Sequence, residues 1–468
     1  MKRPNIIIIY TDQQRWDTLA ANGNNIIITP NLNKLAEDGV NFNCCISQNP
    51  VCMPSRISAM TGQYCSALNI SHMAVTVPEE TPTLQKILKN YGYYNGLIGK
   101  LHYLPHSNRD HREIHPSYDF DHLELSDEPG CYEDVYRAWV RAKAPQELDK
   151  ISVGLPPVTE QWQKIMNFND AIKHNDREIN AGIPIECSDA TTFSAFVGEQ
   201  TVEFLRNHKD QSFFCFSGFY SPHSPWMVPQ KYLDMYSLEE LPIPKYPNDL
   251  EIKRKKDSSF SDEELRSVTR GYYAMITEVD YWIGEIIEEL KRLNIYDNTI
   301  IVFTSDHGEW LGEHLRYGKG HWAPDVVSRV PLVVKVPEKL DGATGLNISN
   351  IVECVDIVPT LLELAGIPIP SYVQGDKLPV TKKDEGICKG DGLGLCEYYG
   401  WKSLRNNRFR YVAEANGKES LFDLEKDPME YDDVSKKEDY FNDLSQMRKL
   451  LVNKLIRIEQ PLKKEWPY

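Results

Sequence analysis

Five short runs constrain the fold of this chain more than any other feature. Residues 6–10, 96–98, 213–217, 299–304 and 332–336 are apolar or nearly so and rich in β-branched and aromatic side chains. A half-exposed strand alternates polar and apolar residues, whereas continuous runs of this kind predict strands buried on both faces. Helical patterns lie between them. Leu84, Ile87 and Leu88 share one face over residues 83–91. Ile276, Val279, Ile283, Ile286, Ile287 and Leu290 keep helical spacing over residues 262–293, where Ser261 and Glu264 form a capping box. Strands alternating with helices predict an α/β fold with a mostly parallel sheet covered on both faces. Ligands in such sheets sit at the carboxyl ends of strands, so the polar residues after each run are the first candidates for a site.

The 468 residues fit one large α/β domain with a smaller one attached. Residues 106–190 differ from the rest. They are rich in His, Asp, Glu and aromatics, have no strand period, and read as a long surface excursion that shapes a pocket. Beyond a Gly-rich stretch at 385–395 come short strand candidates at 403–404, 409–413 and 420–424. Asn416-Gly417 is a hairpin signal between two of them, and a helix is predicted over 440–459. This gives a catalytic domain at 1–380 and a small C-terminal α+β subdomain with an antiparallel sheet at 381–468.

Charge narrows the partners. With 52 Lys+Arg against 68 Asp+Glu the net charge is −16, which argues against nucleic-acid binding and against attachment to anionic membranes. No run approaches 18 apolar residues, and the first apolar run is too short for a signal-peptide core, so a soluble, cytoplasmic protein is expected. The ten cysteines are scattered without zinc-type spacing and read as reduced, mostly buried thiols. Cys52 needs a separate explanation. The sequence leaves the oligomeric state open.

Asp12-Gln13 follows the first strand and Asp306-His307 follows the run at 299–304. Two such pairs at strand ends can converge on one divalent cation. An Asp after a strand is more commonly a cap or turn former, so a further motif must tie the pairs together. That motif is Cys52-Met53-Pro54-Ser55-Arg56, continuing to Thr61-Gly62. Pro54 fits a first helical turn and Gly62 its end, which places Cys52 at an accessible helix N-terminus where the dipole favours negative charge.

Cys-x-Pro-Ser-Arg followed by Thr-Gly resembles the motif of sulfatases of the alkaline-phosphatase-like superfamily, in which that Cys is converted to formylglycine. Further motifs match in the same order: Gly99-Lys100-Leu101-His102, Pro222-His223-Ser224-Pro225, Asp280 in the long helix, Ser305-Asp306-His307-Gly308, Gly318-Lys319-Gly320, and residues 421–428 (LFDLEKDP). The resemblance implies a large mixed, mostly parallel sheet sandwiched by helices. It implies a formylglycine at Cys52, supplied by a maturation enzyme that generates it, and one divalent metal held by Asp12, Gln13, Asp306, His307 and residue 52. By the same resemblance Arg56 steadies the modified residue, Lys100 and Lys319 contact it and the sulfate, His102 helps release sulfate, and His223 is the acid for the leaving oxygen.

The chemistry is coherent. A thiol would trap sulfate as a stable ester, whereas a hydrated aldehyde carries one hydroxyl to attack sulfur and a second to expel sulfate. Many sulfatases carry two adjacent acids at the first pair and Asp-Asn at the second. Here Gln13 and His307 stand instead, as in phosphonate monoester hydrolases and choline-sulfatase-like members. Calcium is the metal by resemblance, and the imidazole makes manganese the alternative. A sulfuric ester hydrolase is therefore expected, with a phosphonate monoester or phosphodiester hydrolase on the same scaffold as the alternative. The acidic surface favours a small sulfate ester over a highly sulfated polymer. Tyr118, Phe120, Tyr132, Tyr136 and Trp139 offer stacking surfaces for a sugar or aryl group, unless they form a local core. His314 and His321 are expected to be solvated or to support the site from outside, and Asn69 and His72 lie where many relatives place a substrate-binding Asn.

Overall fold

The computed structural model describes residues 3–459 except 74, 106–109, 112, 154–163, 165–180 and 385. Each apolar run is a strand: β1 (Asn5–Thr11), β3 (Tyr94–Gly99), β5 (Phe213–Gly218), β6 (Thr299–Ser305) and β7 (Arg329–Lys335), with β2 (Val40–Ile46) and β4 (His122–Leu125) between. Short strands β8 (Leu346–Ile348) and β9 (Val352–Glu353) follow. The sheet order is β8-β2-β7-β6-β1-β5-β3-β4, with β9 also on β2. All pairings are parallel except those of β7 with β2 and β6, so the sheet is mixed and mostly parallel.

β1 lies near the middle, in register with β5 (Ile6 beside Phe214) and β6 (Ile6 beside Ile300). Its alternate side chains enter opposite layers. Ile6, Ile8 and Tyr10 pack with Ile57, Met60 and Leu84, while Ile7 and Ile9 pack with Val279, Ile283 and Ile286. That two-sided burial is why the run has no polar alternation. The helices on the first side include α2 (Cys52–Thr61) and α3 (Leu84–Asn90). On the second lie α1 (Pro30–Asp38), α5 (Phe193–His208) and the long α6 (Asp262–Arg292). Ser261 caps α6 by accepting from the Glu264 amide at 3.2 Å. Asp280 accepts from the Asn31 and Leu32 amides at 3.1 and 2.7 Å, which ties the start of α1 to α6.

The excursion is partly sheet. Residues 122–125 pair with β3 as the edge strand, and α4 (Val135–Lys143) packs outside. Tyr118, Phe120 and Tyr136 are buried core residues and present no stacking surface, while Tyr132 and Trp139 are only partly covered. β4 escapes a period-based reading because its four residues, His-Leu-Glu-Leu, are half-buried and too few to display a period. Part of the excursion lies outside the described residues.

The C-terminal sheet has four antiparallel strands: β10 (Gly394–Tyr398), β11 (Trp401–Arg405), β12 (Phe409–Glu414) and β13 (Glu419–Asp423). α7 (Phe441–Glu459) covers one face through Leu444, Met447 and Leu451. A buried carboxylate fastens this layer. Glu353 accepts from Lys454 Nζ (2.8 Å), Tyr64 Oη (2.5 Å) and the Leu395 amide (2.8 Å). All ten cysteines are free thiols. Among the described residues, no helix is long and apolar enough to cross a membrane.

Candidate active site

The site collects at the carboxyl ends of β1, β3, β5 and β6, where the chain turns sharply. Gly99 has φ 89°, and a Cβ there would stand 2.1 Å from the Gly218 carbonyl oxygen. A Cβ on Gly218 would in turn meet the Lys100 carbonyl oxygen at 2.1 Å. Only glycines permit the two backbones to touch, and the contact brings Lys100 beside the loop that carries His223.

Cys52 is the first residue of α2, and Gly62 ends that helix in the left-handed region at φ 68°. The thiol is 1% exposed, so the accessible helix start expected from the sequence is buried. Lys319, His307 and Asp12 cover it: Sγ lies 2.9 Å from Lys319 Nζ, 3.2 Å from His307 Nε2 and 3.6 Å from Asp12 Oδ1. Burial, and then the Asp12 charge, push this thiol up to about 12. At neutral pH the unmodified side chain is therefore a protonated, weak nucleophile.

Arg56, one turn along α2, is fully buried and joins both acids. Nε donates to Asp306 Oδ2 at 2.8 Å, Nη2 to Asp12 Oδ2 at 3.1 Å and Nη1 to the Lys100 carbonyl at 3.1 Å. Lys100 Nζ lies 2.8 Å from Asp12 Oδ2 and 4.6 Å from the centre of the Tyr220 ring. Burial alone would raise the Asp12 carboxyl, but Lys100, His223 and Arg56 hold it well below the usual range. Asp306 Oδ1 accepts from the Gln13 and His307 amides, both at 2.9 Å. The ligand atoms of Asp12, Cys52, Asp306 and His307 all lie within 4.8 Å of one another.

The tautomers follow from the acceptors. His307 Nδ1 lies 2.9 Å from the Gly308 carbonyl, which can only accept, so Nδ1 carries the proton and Nε2 turns its lone pair toward Cys52. Burial lowers His307 to about 4, which keeps it neutral. His223 Nδ1 donates to the Ser224 carbonyl at 2.6 Å, and Nε2 accepts from Lys319 Nζ at 3.0 Å. Burial and then Lys319 depress His223 well below its ordinary value.

Four neighbours of these residues carried no sequence signal. Glu309 is buried and pushed by burial up to about 7. It accepts from Gln13 Nε2 and the Gly318 amide, which turns Gln13 Oε1 toward Lys319 Nζ at 3.1 Å. Tyr272 in α6 donates to the Gln13 carbonyl at 2.6 Å and accepts from the Arg15 amide at 2.8 Å, bracketing Gln13 at φ 70°. Asp127 Oδ1 accepts from the Leu101 and His102 amides at 2.9 and 2.8 Å and holds His102 at φ 58°. Glu128 is partly buried, and desolvation raises it to about 7 close to Lys100. A spacing-based reading finds none of them, because they meet the motifs only in three dimensions.

His314 and His321 have other partners. His314 stacks on Tyr431 at 4.0 Å and its Nε2 donates to the Met429 carbonyl at 2.8 Å. His321 lies 3.2 Å from Glu414. Asn69 ends a short helix at φ 56°, and His72 meets Tyr399 edge-on at 5.8 Å.

A family model described as Sulfatase matches residues 4–367, and one described as N-sulphoglucosamine sulphohydrolase, C-terminal, matches residues 312–458. An arylsulfatase of Clostridium perfringens is 29% identical over 97% of this chain and 94% of that protein. A choline-sulfatase of Rhizobium meliloti is 28% identical over 92% of this chain and 81% of the relative. Among solved structures, the phosphonate monoester hydrolase of Agrobacterium radiobacter superposes with a TM-score of 0.81, at 25% identity and covering 97% and 96% of the two chains.

Proposed function

The chain belongs to the sulfatase family, and from that premise we propose that it hydrolyses a small sulfate monoester at Cys52 matured to formylglycine, beside one divalent metal ion. The observation that carries this reading is the position of Cys52. Its Sγ stands among Lys319, His307 and Asp12 at a helix N-terminus, where the reactive oxygen of a modified side chain would lie.

The donors fit a divalent cation. Two carboxylates, Asp12 and Asp306, and the Nε2 lone pair of His307 converge on one point with residue 52. Gln13 Oε1 is turned to the same side by Glu309 and would complete the set. Such an ion would supply Lewis-acid chemistry, lowering the pKa of a hydroxyl at residue 52 and polarising sulfate oxygens. Calcium is the family choice, and the imidazole favours manganese. A hydrated formylglycine would supply the two geminal hydroxyls that a cysteine lacks.

The chain's own residues do the rest. Arg56 fixes the spacing of Asp12 and Asp306 through its three donors. Lys319 and Lys100 bring positive charge to the place where sulfate charge would develop. Lys319 Nζ donates to His223 Nε2 at 3.0 Å, so a proton passed from the lysine through this nitrogen would reach the departing alcohol oxygen. His102, held by Asp127, is the group to take a proton when sulfate is released.

A phosphonate monoester or phosphodiester hydrolase is the second reading. It is favoured by the imidazole in the donor set and by the fold shared with a phosphonate monoester hydrolase. The two readings separate in one experiment. The peptide containing residue 52 is checked by mass for the aldehyde, which requires a host with the maturation enzyme. Purified protein is then assayed side by side with an aryl sulfate, a phosphonate monoester and a phosphodiester. The sulfate is expected to turn over fastest, and a faster phosphonate would reverse the order of the readings. Sustained multiple turnover by Cys52→Ser would defeat the mechanism.

A further inference from the structure

A cationic pocket lies where the main sheet meets the C-terminal sheet, and it shares no residue with the site above. The cavity is about 460 Å³, lined by Arg329, Arg405, Asn43, Ser349, Asn350 and Asn407. Its walls come from four places in the chain: the middle of β2, the start of β7, the segment between β8 and β9, and the end of β11 with the turn after it.

Charge is in excess here. Asp325 accepts from Arg405 Nε (2.8 Å) and Nη2 (3.0 Å), from Arg410 Nη2 (2.5 Å) and from Arg329 Nη1 (3.3 Å). Glu430 Oε2 lies 2.9 Å from Arg410 Nε. Three guanidiniums therefore face two carboxylates, 3 − 2 = +1. Arg410 and Glu430 are buried away from the cavity, so the excess falls on Arg329 and Arg405, which line it.

Both guanidiniums are held in place. The Arg405 side chain is 9% exposed and fixed by Asp325 and the Asn406 carbonyl. The Arg329 guanidinium stacks 3.3 Å over the Trp16 ring and donates Nε to the Asn43 carbonyl at 2.5 Å. A fixed, planar, partly desolvated pair of guanidiniums matches an oxyanion bidentately. Asn43 Nδ2 donates to Ser349 Oγ at 3.1 Å, so the serine's own hydrogen remains available to a further acceptor. The three asparagine amides both donate and accept, which is the complement of hydroxyl groups. The volume leaves room well beyond one tetrahedral anion.

We infer that this pocket binds a tetrahedral oxyanion of the sulfate or phosphate class, free or carried on a small hydroxylated molecule, at a position separate from the catalytic centre. Arg329 and Arg405 take the anion, and Asn43, Asn350 and Asn407 take the hydroxyls. The inference stands on the pocket alone and does not depend on the proposed reaction.

The test is equilibrium dialysis of the full chain with labelled inorganic sulfate at constant ionic strength. Wild type is compared with Asn407→Asp, which puts a carboxylate on an exposed turn, and with Arg329→Gln. Each variant is expected to bind one equivalent of sulfate fewer than wild type, or to bind that equivalent about tenfold more weakly or worse. Circular dichroism and aryl sulfate turnover are expected to stay unchanged. Glucose 6-sulfate and glucose then compete for the equivalent that Asn407→Asp loses. Tighter binding of glucose 6-sulfate than of sulfate supports a carried anion, and equal binding supports the free ion. Identical sulfate binding by wild type and both folded variants would overturn the inference. So would displacement of that equivalent by glucose as readily as by its sulfate.

Discussion

Asp127→Ala tests whether a residue outside every sequence motif positions His102. The Asp127 carboxylate is buried, and one of its oxygens takes both the Leu101 and the His102 amide, at 2.9 and 2.8 Å. Hydrogen bonds to a charged group contribute about 1.5–3 kcal/mol each, so losing both would cost about 3–6 kcal/mol if nothing compensated. Part returns as the turn relaxes. His102 is held at φ 58°, a conformation that costs a non-glycine residue about 1–3 kcal/mol. A net loss of about 2–4 kcal/mol is expected, read by urea denaturation followed by circular dichroism. The relaxation that recovers stability also carries the imidazole away from its place. A shift of about 1 Å in a catalytic group can cost about 100-fold in rate, so kcat for an aryl sulfate should fall by about that factor with a smaller change in KM. Asp127→Asn keeps an oxygen acceptor without the charge and should lose about half as much stability, with most of kcat retained. A stability within about 0.5 kcal/mol of wild type together with an unchanged kcat in the Ala variant would refute the reasoning.

Asp306→Asn should abolish metal retention in elemental analysis and leave Arg56 without its full partner, at a stability cost of up to about 3–5 kcal/mol; full metal content with a full rate would contradict the ligand assignment. Glu278 is buried against Thr192 Oγ1 at 2.6 Å, and burial raises it from 4.5 to about 7. The folded state then holds its proton more tightly than the unfolded state, so this contribution to stability is complete below about pH 4.5 and is lost as pH rises through about 7. Glu278→Gln should remove up to about 3 kcal/mol of that pH dependence, measured by denaturation at pH 4.5 and pH 8. Gly99→Ala should sharply reduce the yield of folded enzyme, since the new Cβ would stand 2.1 Å from the Gly218 oxygen in a left-handed turn; normal yield and melting temperature would show that the two backbones separate cheaply.

How far the sequence reaches depends on whether its signal is local. The β-branched runs at 6–10 and 299–304 carry their burial in composition, because a strand covered on both sides has no polar face to display. The long α6 is equally legible from its apolar spacing and Ser261 cap. The ordered motifs around Cys52, Lys100, His223, Asp306 and Lys319 assemble the site because the strand ends, the helix start and the two loops that carry them are brought to one edge by the fold. The tertiary structure alone decided what supports them. Glu309, Tyr272 and Asp127 act through Gln13 and His102, and no spacing rule connects residue 272 to residue 13. The structure also buried Cys52, which the sequence placed at an open helix start, because the covering Lys319 arrives from a loop more than 260 residues later in the chain. Aromatic residues give no sign in sequence of whether they face a ligand or a core. Tyr118, Phe120 and Tyr136 were settled as core only by the strand and helices packed around them. Local patterns fix which elements form, but a side chain's partners depend on long-range packing, and burial and charge compensation are properties of that packing.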